Sequence, residues 1–200
     1  MKNVIIFGTN DLASLCHYYI NNDEKYKNYC VVGFVIEEKY WKEERFEGKY
    51  VYKWEDFQLG KNDLFIAPIA DNKLRERIYN EAKERGYKFL SYISSKCTNY
   101  AESIGENCFI QEDNTLQPFT KIKDNCVLWA GNHIGHHSVI ENNIFVTSHV
   151  VISGHCTIKK GAYLGVNSTI RDGVTIGENT VIGMGAVVTK DVPDGETWIG

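Results

Sequence analysis

No apolar stretch in the 200 residues approaches the roughly 20 residues that a membrane-spanning helix needs. Lys/Arg-rich runs are equally absent. With 22 basic against 26 acidic residues and a net charge of -4, the chain lacks the electrostatic footprint of a nucleic-acid binder. The start, MKNVIIFGTND, carries a single Lys and an apolar run too short for a signal peptide. Cys16, Cys30, Cys97, Cys108, Cys126 and Cys156 form no CxxC pair and are too sparse for a secreted disulfide scaffold. These absences predict a cytoplasmic protein with reduced thiols, no membrane insertion and no nucleic-acid partner. What is present, 43% hydrophobic and 24% charged residues, is ordinary for a globular chain that can bury a core.

Two rhythms divide the chain. Up to about residue 95, strands and helices alternate. VIIF (4–7), CVVGFVIE (30–37), DLFIAPIA (63–70) and KFLSYIS (88–94) have the apolar runs of buried strands. DLASLCHYYINN (11–22) follows the candidate cap Asn10, and DNKLRERIYNEAKERGY (71–87) starts at Asp71 or Asn72 and stops at Gly86. Such alternation predicts a small Rossmann-like parallel sheet with helices packed on it, over residues 1–95.

From residue 104 onward the period is six. Ile104, Ile110, Leu116, Ile122, Leu128, Ile134, Ile140, Val146, Ile152, Ile158, Leu164, Ile170, Ile176, Ile182 and Val188 fall on fifteen successive sixth positions. At roughly one such aliphatic in five residues, chance does this about once in 10^10 trials. Four places after the aliphatic, a small residue is frequent: Cys108, Thr120, Cys126, Ser138, Cys156, Ala162, Ser168, Thr180 and Ala186. Glycine often follows it directly, as at Gly105, Gly135, Gly165, Gly177 and Gly183, where a turn is expected. One inward aliphatic, one small residue and one turn per six residues describe one side of a triangular coil. Three sides make an eighteen-residue lap, so residues 96–200 are expected to form a left-handed parallel β-helix of about five laps, roughly 24 Å tall.

In such a coil, residues eighteen apart stack. His136 falls beneath Gly154, His137 beneath His155 and His133 beneath Val151. A side chain beside a glycine leaves room for a narrow ligand to reach the backbone. Three histidines within five residues, His133, His136 and His137, also raise a metal site, but neighbours on an extended backbone point apart, so none is expected. A histidine acting as general base suits the pattern better, since imidazole titrates near neutrality.

With the hexapeptide period, the segment HIGHHSVIENNIFVTSHVVISGHCTIKKGAYLGVNSTI and the motifs YLGVNSTI and VIGMGAVVTKDVP in view, the chain resembles the NeuD/PglD-type acyltransferases of bacterial surface sugars. The likeness extends through FIAPIADNKLRERIYNEAKERGYKF, which looks like the helix joining that family's two halves. It implies a homotrimer with active sites between subunits, acetyl-CoA as co-substrate and a nucleotide-linked amino sugar as acceptor.

The family's I-x-H-[DE] pattern falls on Ile134-Gly135-His136-His137, which implies His136 as the base. His137 stands where the family has an acid, leaving His133, Asn132 and Glu141 as candidates for the missing contact. The resemblance further implies acetyl-CoA contacts at Phe145, Gly154, Val166, Gly183, Met184 and Gly185. Substrate contacts are implied at Gly8, Asn10, Asp11, Glu37, Glu38 and His133. Trp198-Ile199-Gly200 looks like the start of the family's closing segment. The expected reaction is acetylation of an amino group for surface polysaccharide, with no metal. The alternatives are a sugar O-acetyltransferase of sialic-acid type, a non-catalytic nucleotide-sugar scaffold, and a metal enzyme on the same coil. A neutral amine needs less base assistance than a hydroxyl, so the missing acid favours the amine.

Overall fold

The computed structural model describes residues 1–199, in two compact units, 1–91 and residue 92 onward. Gly200 and the closing-segment reading that includes it lie outside the described residues.

The first unit is an α/β sheet. Strand β1 (Lys2–Phe7) leads through Gly8 into helix α1 (Asp11–Asn22), and β2 (Tyr29–Ile36) pairs parallel with β1. A hairpin of β3 (Arg45–Phe46) and β4 (Lys49–Lys53), then β5 (Leu64–Ile66) and helix α2 (Asn72–Glu84), complete it. The strand order is β3-β4-β2-β1-β5, parallel except for the hairpin. Both helix caps are as the sequence predicts: Asn10 Oδ1 accepts the Ala13 N–H, and Asp71 Oδ1 accepts the Leu74 N–H.

Two expectations need correction. Strand β5 ends at Ile66 rather than running to residue 70, because Pro68 has no N–H to give and Ile69 turns its own back to the Ala67 carbonyl. KFLSYIS does not add a strand here. Phe89 makes a single bridge to Phe65, and Tyr92–Ile93 belong to the second unit. The hairpin was not foreseen; Glu47 and Gly48, with φ of 49° and 72°, supply the two consecutive left-handed residues of a tight reversal.

The second unit is the coil. Its three faces hold seven, six and five parallel strands. The first face runs from Tyr92–Ile93 to Thr197–Trp198, the second from Thr98–Asn99 to Val187–Val188, the third from Ser103–Ile104 to Thr175–Ile176. The coil thus begins before the strict period does, because Thr98 pairs with Thr115 and Tyr92 with Phe109, one residue short of a full lap. Between them the register is regular: Thr115, His133, Val151, Thr169 and Val187 form one outward column, and Leu116, Ile134, Ile152, Ile170 and Val188 the inward one.

From Ile110 to Val188 every aliphatic of the six-residue period is at most 1% exposed. At about 1.5–3 kcal/mol for each fully buried aliphatic, this column is the main force holding the laps together. The small residues four places on are buried beside it, Cys108, Cys126 and Cys156 included. Burial raises the Cys156 thiol above its ordinary range, as expected of an inert core filler.

Asn114 and Asn132 occupy the same inward position. Asn132 Nδ2 donates to the Trp129 carbonyl at 2.6 Å, and its Oδ1 accepts the Val150 N–H at 2.8 Å.

The turns are made differently from the sequence expectation. The left-handed residue of each corner lies three places after the aliphatic, not one. Asn107, Asp113, Phe119, Asn125, Gly131, His137, Asn143, His149, His155, Gly161, Asn167, Gly173, Asn179 and Gly185 all have φ between 53° and 78°. The glycines directly after the aliphatic answer to space instead. A Cβ on Gly135 would lie 2.4 Å from the Ser153 carbonyl carbon, and one on Gly165 would lie 2.5 Å from the Met184 nitrogen.

Candidate active site

His136, His137 and His155 gather at one corner of the coil, between the second and third faces. His137 and His155 take the left-handed corner positions of consecutive laps, a conformation that Asn, Asp and His enter more readily than most residues. Their rings stack, with centroids 4.9 Å apart and planes 16° apart, and Phe119 on the lap before lies 4.6 Å from His137.

His136 sits one place before the corner. Its N–H donates to Gln117 Oε1 at 2.9 Å, and its carbonyl accepts the His155 N–H, so its backbone is fixed from both sides. The imidazole reaches over Gly154. A Cβ there would stand 2.7 Å from His136 Cε1 and 2.9 Å from Nε2. The other ring nitrogen, Nδ1, lies 3.1 Å from Nδ1 of His137. One proton is shared across this contact, and the tautomer depends on which ring donates. When His136 Nδ1–H donates to a neutral His137, the lone pair of His136 is on Nε2, on the Gly154 side.

An acid from another lap stands on the same gap. Asp172 stacks two laps from His136, in the column His136, Gly154, Asp172, and its Oδ2 also stands 2.9 Å from where a Gly154 Cβ would lie. Imidazole and carboxylate therefore converge on the gap that glycine leaves. On the sequence alone, His133, Asn132 and Glu141 are the candidates for this contact, and Asp172 is not singled out.

The three candidates for that contact lie elsewhere. Asn132 points inward, with both polar ends bonded as described above. Glu141 is on a different corner, where it pairs with Lys123 at 3.6 Å and accepts the Lys160 N–H. His133 is on the second face, in register with Thr115 and Val151.

Gly154 also offers a donor. At comparable places on other laps, a side-chain oxygen caps the N–H: Asp124 for Glu106, Asn142 for Asp124, Gln117 for His136, Glu141 for Lys160 and Asp194 for Glu178. Among the described residues, no acceptor meets the Gly154 N–H. An uncapped N–H on the residue that an imidazole overlies is suited to acyl transfer.

The remaining coil residues implied by the resemblance are spread out. Val166, Gly183, Met184 and Gly185 line the corner between the first and second faces, the opposite edge of the second face from His136, and Val166 and Met184 are exposed. Phe145 is on the first face, its ring stacked on Tyr163 at 5.5 Å.

In the first unit, Gly8 takes φ 107° and donates its N–H to the Val35 carbonyl, which turns the chain from β1 into α1. Asn10 is committed to capping that helix, and Asp11 opens it. Glu37 is 8% exposed and bonds Arg77 at 2.9 Å, while Glu38 bonds Lys53 at 2.6 Å. A cavity of about 220 Å³ opens beside them, lined by Thr9, Ile36, Tyr40, Lys42, Arg45 and Phe46 among others, at the carboxyl end of β2. Ligands of open α/β sheets bind at such strand ends.

Comparison with known proteins agrees with this architecture. Residues 155–190 match the family described as bacterial transferase hexapeptide (six repeats). No curated protein sequence matches the chain. Among solved structures, WeeI from Acinetobacter baumannii AYE is similar with a TM-score of 0.86 and 21% identity, over 100% of this chain and 97% of that one. A mutant of perosamine N-acetyltransferase from Caulobacter crescentus, in complex with CoA and GDP-perosamine, has a TM-score of 0.71 at 20% identity, covering 100% and 94%. The acetyltransferase domain of PglB from Neisseria gonorrhoeae FA1090, in complex with acetyl coenzyme A, gives 0.62 at 17%, covering 98% and 95%. These likenesses establish the fold, a small α/β unit followed by a hexapeptide-repeat left-handed β-helix, as the resemblance read from the sequence implied. The likeness runs the length of both chains, so it includes the N-terminal unit that the hexapeptide match does not reach.

Proposed function

We propose that the protein is an acetyl-CoA-dependent acetyltransferase acting on the amino group of a nucleotide-linked amino sugar, in the assembly of a surface polysaccharide. The observation that carries this reading is the His136 ring over Gly154, with Nε2 facing the gap and an uncapped N–H beside it. The acceptor amine attacks the thioester carbonyl carbon, and the carbonyl oxygen takes up negative charge against the Gly154 N–H. His136 Nε2 receives the proton that the nitrogen sheds. When the tetrahedral intermediate collapses, the C–S bond breaks and the same proton goes to the thiolate, giving the amide and CoA. In this reading His136 Nδ1–H donates to His137, which leaves the Nε2 lone pair free to take the proton, and the Asp172 carboxylate lines the same gap.

With Asp172 lining the same gap, we set aside a missing acid as grounds for an amine. The amine reading rests instead on the comparisons: the Caulobacter relative is a perosamine N-acetyltransferase, crystallised with CoA and GDP-perosamine as mutants of a histidine. Among the acyl-donor residues, Gly154 lies at one edge of the second face and Val166, Gly183, Met184 and Gly185 at the other, which suits a site completed by a second copy of the chain, as in a homotrimer. A nucleotide is the ligand class we propose for the cavity of the first unit, taken by itself. There Tyr40 offers a ring for stacking, and Lys42 and Arg45, with Glu43 among them, offer charge for a diphosphate.

Thiol release from acetyl-CoA, measured against nucleotide-linked amino sugars and plain sugars, tests the reading. A nucleotide-linked amine should be preferred, and His136→Ala should lower turnover by about two or more orders of magnitude with the fold intact. Retained turnover in that variant removes His136 from the role.

A further inference from the structure

The three rings of His136, His137 and His155 do more than the proposed reaction asks of them. One nitrogen from each falls within 4.8 Å of the others, and all three side chains are exposed. The Nδ1–Nδ1 separation of His136 and His137 is 3.1 Å. Two nitrogens bound to one tetrahedral zinc ion at about 2.0–2.1 Å stand roughly 3.3 Å apart, so this pair is already set at a ligand edge. His155 has to tilt out of its stack on His137 to close the third edge, and an exposed side chain can do so by rotating.

We infer that His136, His137 and His155 form a binding site for a divalent transition metal of the zinc class, and that its occupation switches off the base. The site is inhibitory, not part of the reaction. Zinc replaces the proton shared between the two Nδ1 atoms. With Nδ1 of His136 on the metal, the ring proton must reside on Nε2, the atom that otherwise accepts the acceptor's proton. Metal binding thus inactivates His136 through its tautomer, without entering the gap at Gly154. Asp172, on the same column, favours the added positive charge.

The inhibitory consequence rests on the proposed function, but binding does not, and the test separates them. Untagged full-length protein is stripped with chelator and titrated with cobalt(II) and zinc(II). Calorimetry gives stoichiometry, and cobalt absorption reports geometry. One ion per chain with the intense visible bands of tetrahedral cobalt is expected. His155→Asn is the informative variant, because Asn holds the same left-handed corner at Asn143 and Asn167, so the fold is preserved.

This variant should weaken binding by about tenfold or more and raise the zinc concentration that halves turnover, each measured against the variant's own metal-free rate. Absence of binding, an octahedral cobalt spectrum, or unchanged affinity in His155→Asn overturns the site. Tetrahedral binding without zinc inhibition of an active enzyme overturns the switch. A chain that binds cobalt but transfers no acetyl group counts against the proposed function, not the site.

Discussion

Gly154 is the residue on which the arrangement turns. Its backbone has an ordinary φ, so alanine is tolerated by the chain, but the added methyl would collide with the His136 ring and with Asp172 Oδ2. Both are ends of flexible side chains. They can swing away, so the coil survives while the base loses its place. Gly154→Ala is expected to lower kcat by about a hundredfold with little change in thermal midpoint, since displacement of a reacting group by about 1 Å costs that much. Wild-type turnover in the variant would disconnect the gap from the chemistry.

Asp172 is tested by charge. Asp172→Asn should reduce kcat severalfold, whereas Asp172→Glu, which keeps the carboxylate, should recover much of it. Equal loss in both points to shape alone. The placement of His136 beside Gly154 was legible in the sequence because it follows from one eighteen-residue lap. The approach of Asp172 to the same gap was not, because it exists only once two laps are stacked, and nothing in the RDG segment marks it out.

Among the elements, helix α2 shows how the first unit is tied together. Trp54, 2% exposed, donates its indole N–H to Glu81 Oε2 at 2.7 Å, and Arg77 bonds Glu81 Oε1 at 2.8 Å one turn away. Burial pushes the Glu81 carboxyl up, but the Trp54 indole and the Arg77 guanidinium outweigh it and hold it below the usual carboxylate range. A carboxyl with a lowered folded-state value stabilises the protein above its unfolded value, and that contribution fades as the pH falls through the folded one. Urea unfolding of the first unit should therefore weaken in acid, and Glu81→Gln should be less stable at neutral pH with a flatter acid dependence.

Elements with one strong local signal were legible: Asn10 and Asp71 announce their helices, and the apolar runs announce β1 and β2. The hairpin was hidden because Tyr50 and Tyr52 expose their rings on one side while Val51 alone is buried on the other, which leaves too little alternation to detect. Its marker, Glu47-Gly48, is a weaker form of the usual Asn-Gly or Asp-Gly signal.

For the whole molecule, the eighteen-residue lap was visible because a single interior column repeats the same chemistry. What the corners require was not, since one backbone conformation is met there by Asn, Asp, His, Gly and even Phe119, which share no side-chain property that a pattern search detects. The regular register makes a strong prediction. Six residues inserted between Glu141 and Phe145, written as one more repeat, turn everything beyond by one face. Ser148, not Gly154, then stacks on His136. Such a protein should keep its circular dichroism and melt cooperatively, yet lose turnover. Activity surviving this insertion would deny that the column assembles the site.

The left-handed corners have one further consequence. Because Asn, Gly and His occupy them on successive storeys at similar backbone geometry, each corner is an interchangeable socket. A reactive ring can be fitted into one of them, or withdrawn, without rebuilding the stack around it.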